Sequence, residues 1–408
     1  MTYAEATEWL FQQLPMFQRQ GPAAYKANLD GTKYVLEKMG RPDLHLDGVV
    51  HVAGTNGKGS VCTAVSNALV ETGYRVGLFT SPHLVDFRER MRVCGEMPPE
   101  SWVVQRVSHF KRELPDWTYQ PSFFEWTFGL ALLWFVEEQV DLVVLETGMG
   151  GRLDSTNVFT SPLVTAITNI GLDHQQFLGD DIRTIAGEKA GILKDGVPVV
   201  LGRMRPEAQS VILAAAMRTA SETHYAELAD DVSLESGPYW PDNKATASKI
   251  LEVLGNQPGW RNWKPPLKLH ATGHRGRWEW MPPTLSGARV LVDCAHNLDG
   301  LERFMMGIAA IEHQRLWIVW GAVADKDLQS VWPMLPKEAT YCFCAANIPR
   351  AMDAVQLHEK AQEVGLNGSA YDSVAEALNA ATKEADANDL VVVLGSIFIA
   401  AEALQTAQ

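Results

Sequence analysis

Long hydrophobic runs are missing from this chain of 408 residues. The longest one spans residues 126–136 and is stopped by Glu137 and Glu138, well short of the roughly 18 residues that a membrane helix needs. The N-terminus, MTYAEATEWLFQQLPMF, has no basic stretch ahead of its apolar residues, so it does not resemble a secretory signal. We therefore expect a cytoplasmic protein without a membrane span.

Cysteine is scarce, and basic residues are outnumbered by acidic ones. The five cysteines form no metal-type spacing, and Cys342 and Cys344 fall on one face of a predicted strand, so we expect core thiols rather than disulfides. A net charge of -14 argues against general affinity for nucleic acid or anionic lipid. It does not exclude small anionic substrates, because local amide groups, metal ions and a few basic side chains can hold those.

Short β-branched runs alternate with longer helical patterns, which is typical of parallel sheets with crossover helices. At this length two domains are expected. The fold class is therefore α/β, with a P-loop-type, mostly parallel sheet and flanking helices in residues 1–281, and a Rossmann-like α/β domain in residues 288–408. The segment MPPTLSG, residues 281–287, suits a linker. Predicted strands are residues 48–53, 75–80, 141–146, 163–168 and 197–202, followed by a second series in ARVLVDCAHN, LWIVWGAVADKD, TYCFCAAN and DLVVVLGS.

The segment HVAGTNGKGSVCTAV, residues 51–65, departs from the usual phosphate-binding loop. Val52 holds the position of the first glycine in G-x-x-x-x-G-K-[ST], and Gly59 separates Lys58 from Ser60. The plain alternative is a glycine-rich turn with an exposed lysine. The context of a strand, a glycine-rich turn and a helix favours a nucleotide phosphate site, with Lys58 contacting the phosphates.

The two departures from the usual loop, at Val52 and Gly59, resemble the pattern of a known family. GTNGKGS resembles the ATP loop of the Mur ligase superfamily, and the glycine after the lysine resembles its folylpolyglutamate synthase and dihydrofolate synthase branch. Further motifs occur in family order: TSPHL at 80–84, ETGMGGRLDSTN at 146–157, LDHQQFLG at 172–179, EKAGI at 188–192, DCAHN at 293–297, DKD at 325–327 and LGS at 394–396.

The resemblance implies an ATP-dependent ligase that activates a carboxylate as an acyl phosphate. It assigns catalytic roles to Lys58, Lys189 and His174. It implies two Mg²⁺ ions, held by Ser60, Ser81, Glu146, His174 and Lys189. It assigns ATP binding to Gly54, Thr55, Asn56, Gly57, Lys58, Gly59, Ser60, Asn243, Arg277 and Asp293.

Several of these residues also have plainer interpretations. Ser81 suits a turn before Pro82, a lone histidine such as His174 is more often a loop residue bonded to backbone, and Glu188-Lys189 suits a solvated pair. In related ligases the lysine at the place of Lys189 is carbamylated, which turns a cation into an oxygen ligand. Arg277 matches the family's glycine-arginine pair, although Arg275 stands where that pair is usually preceded by proline.

The substrate contacts that the resemblance implies are Ser122, Phe124, Glu125, Asp154, His296 and Ser396. Phe124 offers a flat face on which a pterin ring could stack, and the alternative is an aromatic pair in the core. His296 and Ser396 belong to the domain expected to bind glutamate.

The resulting expectation is a monomeric ligase that joins L-glutamate to dihydropteroate or to reduced folates, without nucleic-acid or membrane partners. The alternatives are a folylpolyglutamate synthase alone, a peptidoglycan-precursor Mur ligase and a non-ligase nucleotide-binding protein. Gly59 argues against the peptidoglycan-precursor ligase, as does a phosphate loop that arrives by residue 54, which leaves no room for a UDP-sugar domain before it.

Overall fold

A computed structural model describes residues 1–13, 28–228, 237–257, 269–270, 272–324 and 326–406. Asp325 of the DKD motif lies outside the described residues. The chain divides into two compact units, Met1–Val232 with Pro241–His274, and Ser233–Trp240 with Arg275–Gln408. In the described ranges, no helix is long and apolar enough to span a membrane.

The first unit is built on a seven-stranded sheet in the order β3-β2-β4-β1-β5-β6-β7. Adjacent strands are parallel except β2 and β3, which are antiparallel. The strands are β1 (Val49–Ala53), β2 (Val76–Phe79), β3 (Met91–Val93), β4 (Leu142–Glu146), β5 (Val164–Ile167), β6 (Val199–Leu201) and β7 (Thr223–Tyr225).

Helices flank this sheet and bury its apolar residues. The helix Phe123–Glu137 is apolar on all sides, as expected for a helix buried in a core. The helices are α1 (Tyr3–Gln13), α2 (Asp30–Lys38), α3 (Lys58–Glu71), α4 (Glu100–Glu113), α5 (Phe123–Glu137), α6 (Gln175–Leu178), α7 (Ile182–Ala190), α8 (Pro206–Arg218) and α9 (Trp240–Gly255). Short 3-10 helices occupy Pro42–His45, Phe87–Arg90, Leu114–Asp116 and Ser155–Val158.

The second unit contains a six-stranded sheet in the order β12-β11-β10-β13-β9-β8. All pairs are parallel except β8 with β9. The strands are β8 (Glu279–Trp280), β9 (Arg289–Val292), β10 (Leu316–Trp320), β11 (Thr340–Cys344), β12 (Asn367–Tyr371) and β13 (Leu390–Leu394). The helices are α10 (Leu298–Ala309), α11 (Ala354–Glu363), α12 (Val374–Glu384) and α13 (Ile397–Gln405), with a 3-10 turn at Trp332–Met334.

The predicted α/β class with two mostly parallel sheets is confirmed, but the boundary between the units lies earlier than residues 281–287. Residues 275–281 belong to the second unit, because Glu279–Trp280 pairs antiparallel with β9 and Met281 N donates to Val290 O at 2.9 Å. The MPPTLSG segment therefore connects two strands of one sheet. Its prolines and glycine suit such a connection as well as they suit a linker.

All five cysteines are free. Cys62, Cys294, Cys342 and Cys344 are buried, while Cys94 is half-buried. The expectation of thiols rather than disulfides is confirmed, and only Cys94 departs from a core position.

Candidate active site

The loop between β1 and α3 is held by the segment that follows β5. Thr55 N donates to Asn169 O at 3.0 Å, and Asn56 N donates to Asn169 Oδ1 at 2.8 Å. Gly57 has φ +83°, which an L side chain rarely adopts, and α3 begins directly after it. The amide groups of the first helical turn and the helix dipole therefore face the loop, an arrangement that favours an anion.

Two glycines of this loop allow close contact with polar side chains. A Cβ at Gly54 would lie 1.9 Å from Thr168 Oγ1, and a Cβ at Gly57 would lie 2.2 Å from Asn243 Oδ1. The structure therefore brings Asn243, which the sequence assigned to ATP binding, against the phosphate loop. Thr168 also donates to Asn56 O at 2.7 Å and was not among the predicted residues.

The unusual Gly59 lies under a histidine that sequence reasoning missed. A Cβ at Gly59 would lie 2.5 Å from His274 Cε1, 2.8 Å from His274 Nε2 and 3.2 Å from Glu146 Oε2. Glycine is therefore required where α3 passes beneath the imidazole and the carboxylate. The glycine at position 59 was itself the sequence signal that a bulky side chain packs against the first turn of α3.

Two lysines converge on the backbone of the loop. Lys58 Nζ donates to Gly54 O and Thr55 O, both at 3.1 Å, and Lys189 Nζ donates to Gly54 O at 2.9 Å. Lys189 is 4% exposed. Burial, reinforced by the charge of Lys58, lowers the pKa of Lys189 to about 7. Both predicted catalytic lysines therefore lie at the phosphate loop, and the solvated Glu-Lys interpretation is wrong for Lys189.

Glu146 and Ser81 lie together, as the metal assignment requires. Glu146 ends β4 and is 5% exposed, and its Oε2 accepts a hydrogen bond from Ser81 N at 3.0 Å. Ser60 is buried in the first turn of α3. The positive charge of Arg90 is disfavoured by burial, which lowers its pKa to about 9, although Glu146 acts in the opposite direction.

His174 lies at the start of α6 with φ +51°, and its N donates to Asp173 Oδ1 at 2.9 Å. Across the described parts of the chain, no group of three or more His, Cys, Asp and Glu side chains has the arrangement of a metal site. A Mg²⁺ ion here would need hydroxyl, nucleotide and water oxygens beside Glu146, a ligand set that Mg²⁺ accepts.

Phe124 and Asp154 meet at Gly148. A Cβ at Gly148 would lie 2.5 Å from Phe124 Cζ and 3.2 Å from Asp154 Oδ2. Asp154 is 6% exposed and accepts hydrogen bonds from Met149 N at 2.8 Å and Thr156 N at 3.0 Å. Burial raises the pKa of Asp154 despite these hydrogen bonds. Phe124 is partly buried and packs edge-on against Phe79, with ring centroids 5.7 Å apart.

Ser122 and Glu125 form the capping box of α5. Ser122 Oγ accepts from Glu125 N at 3.2 Å, and Glu125 Oε2 accepts from Ser122 N at 2.6 Å. Glu125 also accepts from the hydroxyl of Tyr119 at 3.0 Å. The spacing S-x-x-E before an apolar run is the sequence signature of this motif, and the sequence interpretation overlooked it. Substrate binding by these two residues stays a prediction.

In the second unit, Asp293 follows β9 and is 1% exposed. Its carboxylate accepts from Trp278 N and Ala295 N, both at 2.7 Å. Burial raises the pKa of Asp293, while the positive charge of Arg277 lowers it. Arg277 and Asp293, two predicted ATP contacts, therefore influence each other within this unit.

His296 and Ser396 follow neighbouring parallel strands, β9 and β13. The carboxyl ends of such strands lie at one edge of the sheet, where α/β domains bind ligands. His296 Nδ1 lies 2.8 Å from Cys294 O. Because a carbonyl oxygen only accepts, Nδ1 carries a proton. Ser396 Oγ caps α13 by accepting from Ile399 N at 3.2 Å.

Comparison with known proteins places these features in one class. Residues 52–231 match the Mur ligase middle domain, and residues 276–397 match the Mur ligase glutamate ligase domain. Both matched domains belong to ATP-dependent ligases.

Individual relatives identify the family within this class of ligases. The chain is 31% identical to the dihydrofolate synthase/folylpolyglutamate synthase of Bacillus subtilis, over 97% of each chain. The E. coli FolC structure in complex with DHPP and ADP superposes with a TM-score of 0.84 at 29% identity, covering 100% of this chain and 97% of the other. A bifunctional folylpolyglutamate synthase/dihydrofolate synthase with Mn, AMPPNP and L-glutamate bound has a TM-score of 0.82 at 25% identity, covering 100% and 98%. The chain belongs to the dihydrofolate synthase/folylpolyglutamate synthase family.

Proposed function

We propose that the chain is an ATP- and Mg²⁺-dependent ligase that adds L-glutamate to dihydropteroate and to reduced folates, including glutamylated ones. The observation that carries this proposal is the phosphate loop itself. Lys58 and Lys189 both contact the carbonyl oxygen of Gly54, and the carboxylate of Glu146 lies beside Gly59. Positive charge from Lys58 for a triphosphate, and a Glu146 oxygen for its metal ion, thus lie at one helix N-terminus.

The reaction must first activate the substrate carboxylate. A carboxylate oxygen attacks the γ-phosphorus, the bond to the β,γ-bridging oxygen breaks, and ADP leaves. Lys58, released from the Gly54 and Thr55 carbonyls, supplies positive charge to the phosphoryl oxygens, whose negative charge spreads during transfer. The glutamate amine then attacks the acyl carbon, loses a proton, and expels phosphate as the amide forms.

Glu146, Ser81, Ser60 and His174 are the residues that would hold Mg²⁺ in this proposal, with Lys189 as a further ligand if it is modified. The ion would neutralise charge on the phosphates. The fit rests on Glu146, whose carboxylate is buried at the end of a strand and already oriented by Ser81 N. Oxygen ligands of this kind suit Mg²⁺.

We propose that Lys189 is carbamylated in the working enzyme. The neutral amine attacks CO₂, an N–C bond forms, and one proton passes to water, so that a cation becomes an anionic oxygen ligand. A pKa near 7 leaves much of the amine neutral at neutral pH, which is the form that reacts. Because Lys189 Nζ lies at the Gly54 carbonyl, the carbamate would place oxygen ligands at the phosphate loop.

The pterin end of the substrate is assigned to the surroundings of Gly148. The ring edge of Phe124 and the carboxylate of Asp154 meet there, and the related E. coli protein binds DHPP together with ADP. Within the second unit, glutamate is assigned to His296 and Ser396, and ATP contacts are assigned to Arg277 and Asp293. A relative with L-glutamate bound supports a glutamate site in this fold. We further propose that the enzyme is a cytoplasmic monomer.

The proposal is tested by phosphate release from Mg²⁺-ATP with L-glutamate and each of three acceptors: dihydropteroate, tetrahydrofolate and a muramyl precursor. We expect sustained phosphate release with dihydropteroate and with tetrahydrofolate when L-glutamate is present. We expect none with the muramyl precursor. Activity with tetrahydrofolate alone would reduce the enzyme to a folylpolyglutamate synthase. Hydrolysis that needs neither acceptor nor glutamate would indicate a non-ligase nucleotide-binding protein.

A further inference from the structure

A histidine is buried in the middle of the first sheet. His51 lies on β1, which is flanked by β4 and β5, and it is 0% exposed. Its neighbours in the strand are the apolar residues Val49, Val50, Val52 and Ala53. A fully buried imidazole costs free energy that an apolar side chain in the same strand would not. A hydrogen bond that offsets this cost is therefore expected.

His51 begins a chain of side-chain hydrogen bonds. Its Nε2 lies 2.8 Å from Thr156 Oγ1, and Thr156 Oγ1 donates to Asp154 Oδ1 at 2.5 Å. All three side chains are buried. The chain leads from the centre of the sheet to the carboxylate that contacts Met149 N and lies next to Gly148 and Phe124.

The protons in this chain have a definite order. Thr156 has one hydroxyl proton, which it gives to the carboxylate, so its oxygen must accept from His51. His51 therefore carries its proton on Nε2. Its Nδ1 is then an acceptor, and it has no hydrogen-bond partner among the residues that the structure describes. Burial, with the charge of Lys194, lowers the pKa of His51 to about 3, so the ring stays neutral and does not act as an acid or base.

We propose that His51 is a positioning residue for the pterin end of the substrate, acting through Thr156 on Asp154. The hydrogen bond from His51 fixes the direction of the Thr156 hydroxyl, and that hydroxyl fixes the rotamer of Asp154. Asp154 in turn holds Met149 N and the backbone on which Phe124 packs. This inference rests on the proposed assignment of Asp154 and Phe124 to the pterin.

Paired substitutions test the chain of contacts. His51→Leu and Thr156→Val each remove a link, whereas His51→Gln keeps a terminal N–H and Thr156→Ser keeps the hydroxyl. We expect the two disruptive variants to raise the KM for dihydropteroate by about tenfold or more, equivalent to about 1.4 kcal/mol. The Kd for ADP, measured by titration calorimetry, should change by less than about twofold, since the phosphate loop is not part of the chain. The conservative variants should recover most of the loss.

Thr165→Val is the matched control. Thr165 pairs with His51 in register on β5, is equally buried, and donates to Pro198 O at 3.3 Å without reaching Asp154. Its substitution should leave the KM for dihydropteroate unchanged. A similar KM increase in the control, or a dihydropteroate KM within about twofold of wild type in a folded His51→Leu, would overturn the inference. If His51→Leu does not fold, the Thr156→Val and Thr156→Ser pair decides by the same criterion.

The tautomer of His51, measured without substrate, tests this inference independently of the proposed function. In ¹⁵N-histidine-labelled enzyme, the NMR resonances of His51, assigned with His51→Gln, should show a neutral ring protonated at Nε2. A proton on Nδ1 would overturn the inference even in an active enzyme. If wild-type enzyme ligates no pterin substrate, the proposed function fails, whatever tautomer His51 has.

Discussion

At the scale of single residues, the glycine after Lys58 is explained by what lies above it. The imidazole of His274 and the carboxylate of Glu146 approach the Cα of Gly59 so closely that a methyl group would overlap with the ring. The extra glycine thus allows the first turn of α3 to pack against the carboxylate of Glu146. It does not indicate a damaged phosphate loop.

Gly59→Ala should therefore lower kcat/KM for ATP by about tenfold or more, since overpacking of this kind costs about 1–3 kcal/mol. His274→Gly should remove the overlap with the ring, so the double variant should be more active than Gly59→Ala alone. Steady-state kinetics of the two single variants and the double variant measure this coupling. Gly187→Ala is the control, because a Cβ there meets nothing within 4 Å. Additive losses from the two substitutions would contradict the steric explanation.

Lys189 provides a second test at this scale. Lys189→Ala should be nearly inactive, and short carboxylic acids should restore part of its rate by replacing the carbamate oxygens. Intact-mass spectrometry under CO₂ should show the added carboxyl group in wild type and not in the variant. Wild-type turnover by Lys189→Ala, or full activity of an enzyme whose Lys189 amine is unmodified, would rule out the carbamate.

The metal role of Glu146 came only from the family resemblance and stays a prediction. From its own pattern, the sequence predicted Lys58 at the junction of a glycine-rich loop and a helix, where it lies. It could not predict His274, which is more than 200 positions from Gly59 and meets it only through the fold. His51 was also missed, because a histidine in an apolar strand gives no sign in the sequence of its hydrogen bond to Thr156. Long-range contacts of this kind depend on the packing of elements rather than on local pattern.

At the scale of elements, strands with β-branched apolar runs were predictable and short or polar ones were not. The core strands β1, β4 and β13 lie where the sequence predicted them. The missed strands are β3 and β7, with three residues each, β8, with two, and β12, whose sequence NGSAY is polar and half-exposed. Edge strands of this kind are paired by their neighbours rather than by their own propensity.

Substitutions in the capping box of α5 can distinguish a structural role of Ser122 from a contact with the substrate. Ser122→Ala should lower the free energy of unfolding by about 1 kcal/mol, because the N-cap hydrogen bond to Glu125 N is lost. Ser122→Asp retains a capping oxygen and should keep most of that stability. Urea unfolding measures both effects, and the KM for dihydropteroate is measured on the same samples. An unchanged KM in Ser122→Asp would leave Ser122 with the capping role alone, whereas a large increase would support the substrate assignment.

At the scale of the whole molecule, a net charge of -14 coexists with a site for highly anionic substrates. The phosphate loop resolves this contrast locally, since its backbone amides and Lys58 provide the positive potential that the chain as a whole lacks. The charge balance of a sequence therefore argues against general polyanion binding and says little about a nucleotide site of a few residues.

In the proposed reaction, a substrate carboxylate attacks ATP to give an acyl phosphate. The most direct measurement uses dihydropteroate labelled with ¹⁸O in its carboxylate, with Mg²⁺-ATP and L-glutamate, followed by mass spectrometry of the released phosphate. Because the acyl carbon–oxygen bond breaks when the glutamate amine attacks, each phosphate should carry one oxygen from the carboxylate. Phosphate released at the rate of amide formation but without ¹⁸O would contradict the acyl phosphate mechanism.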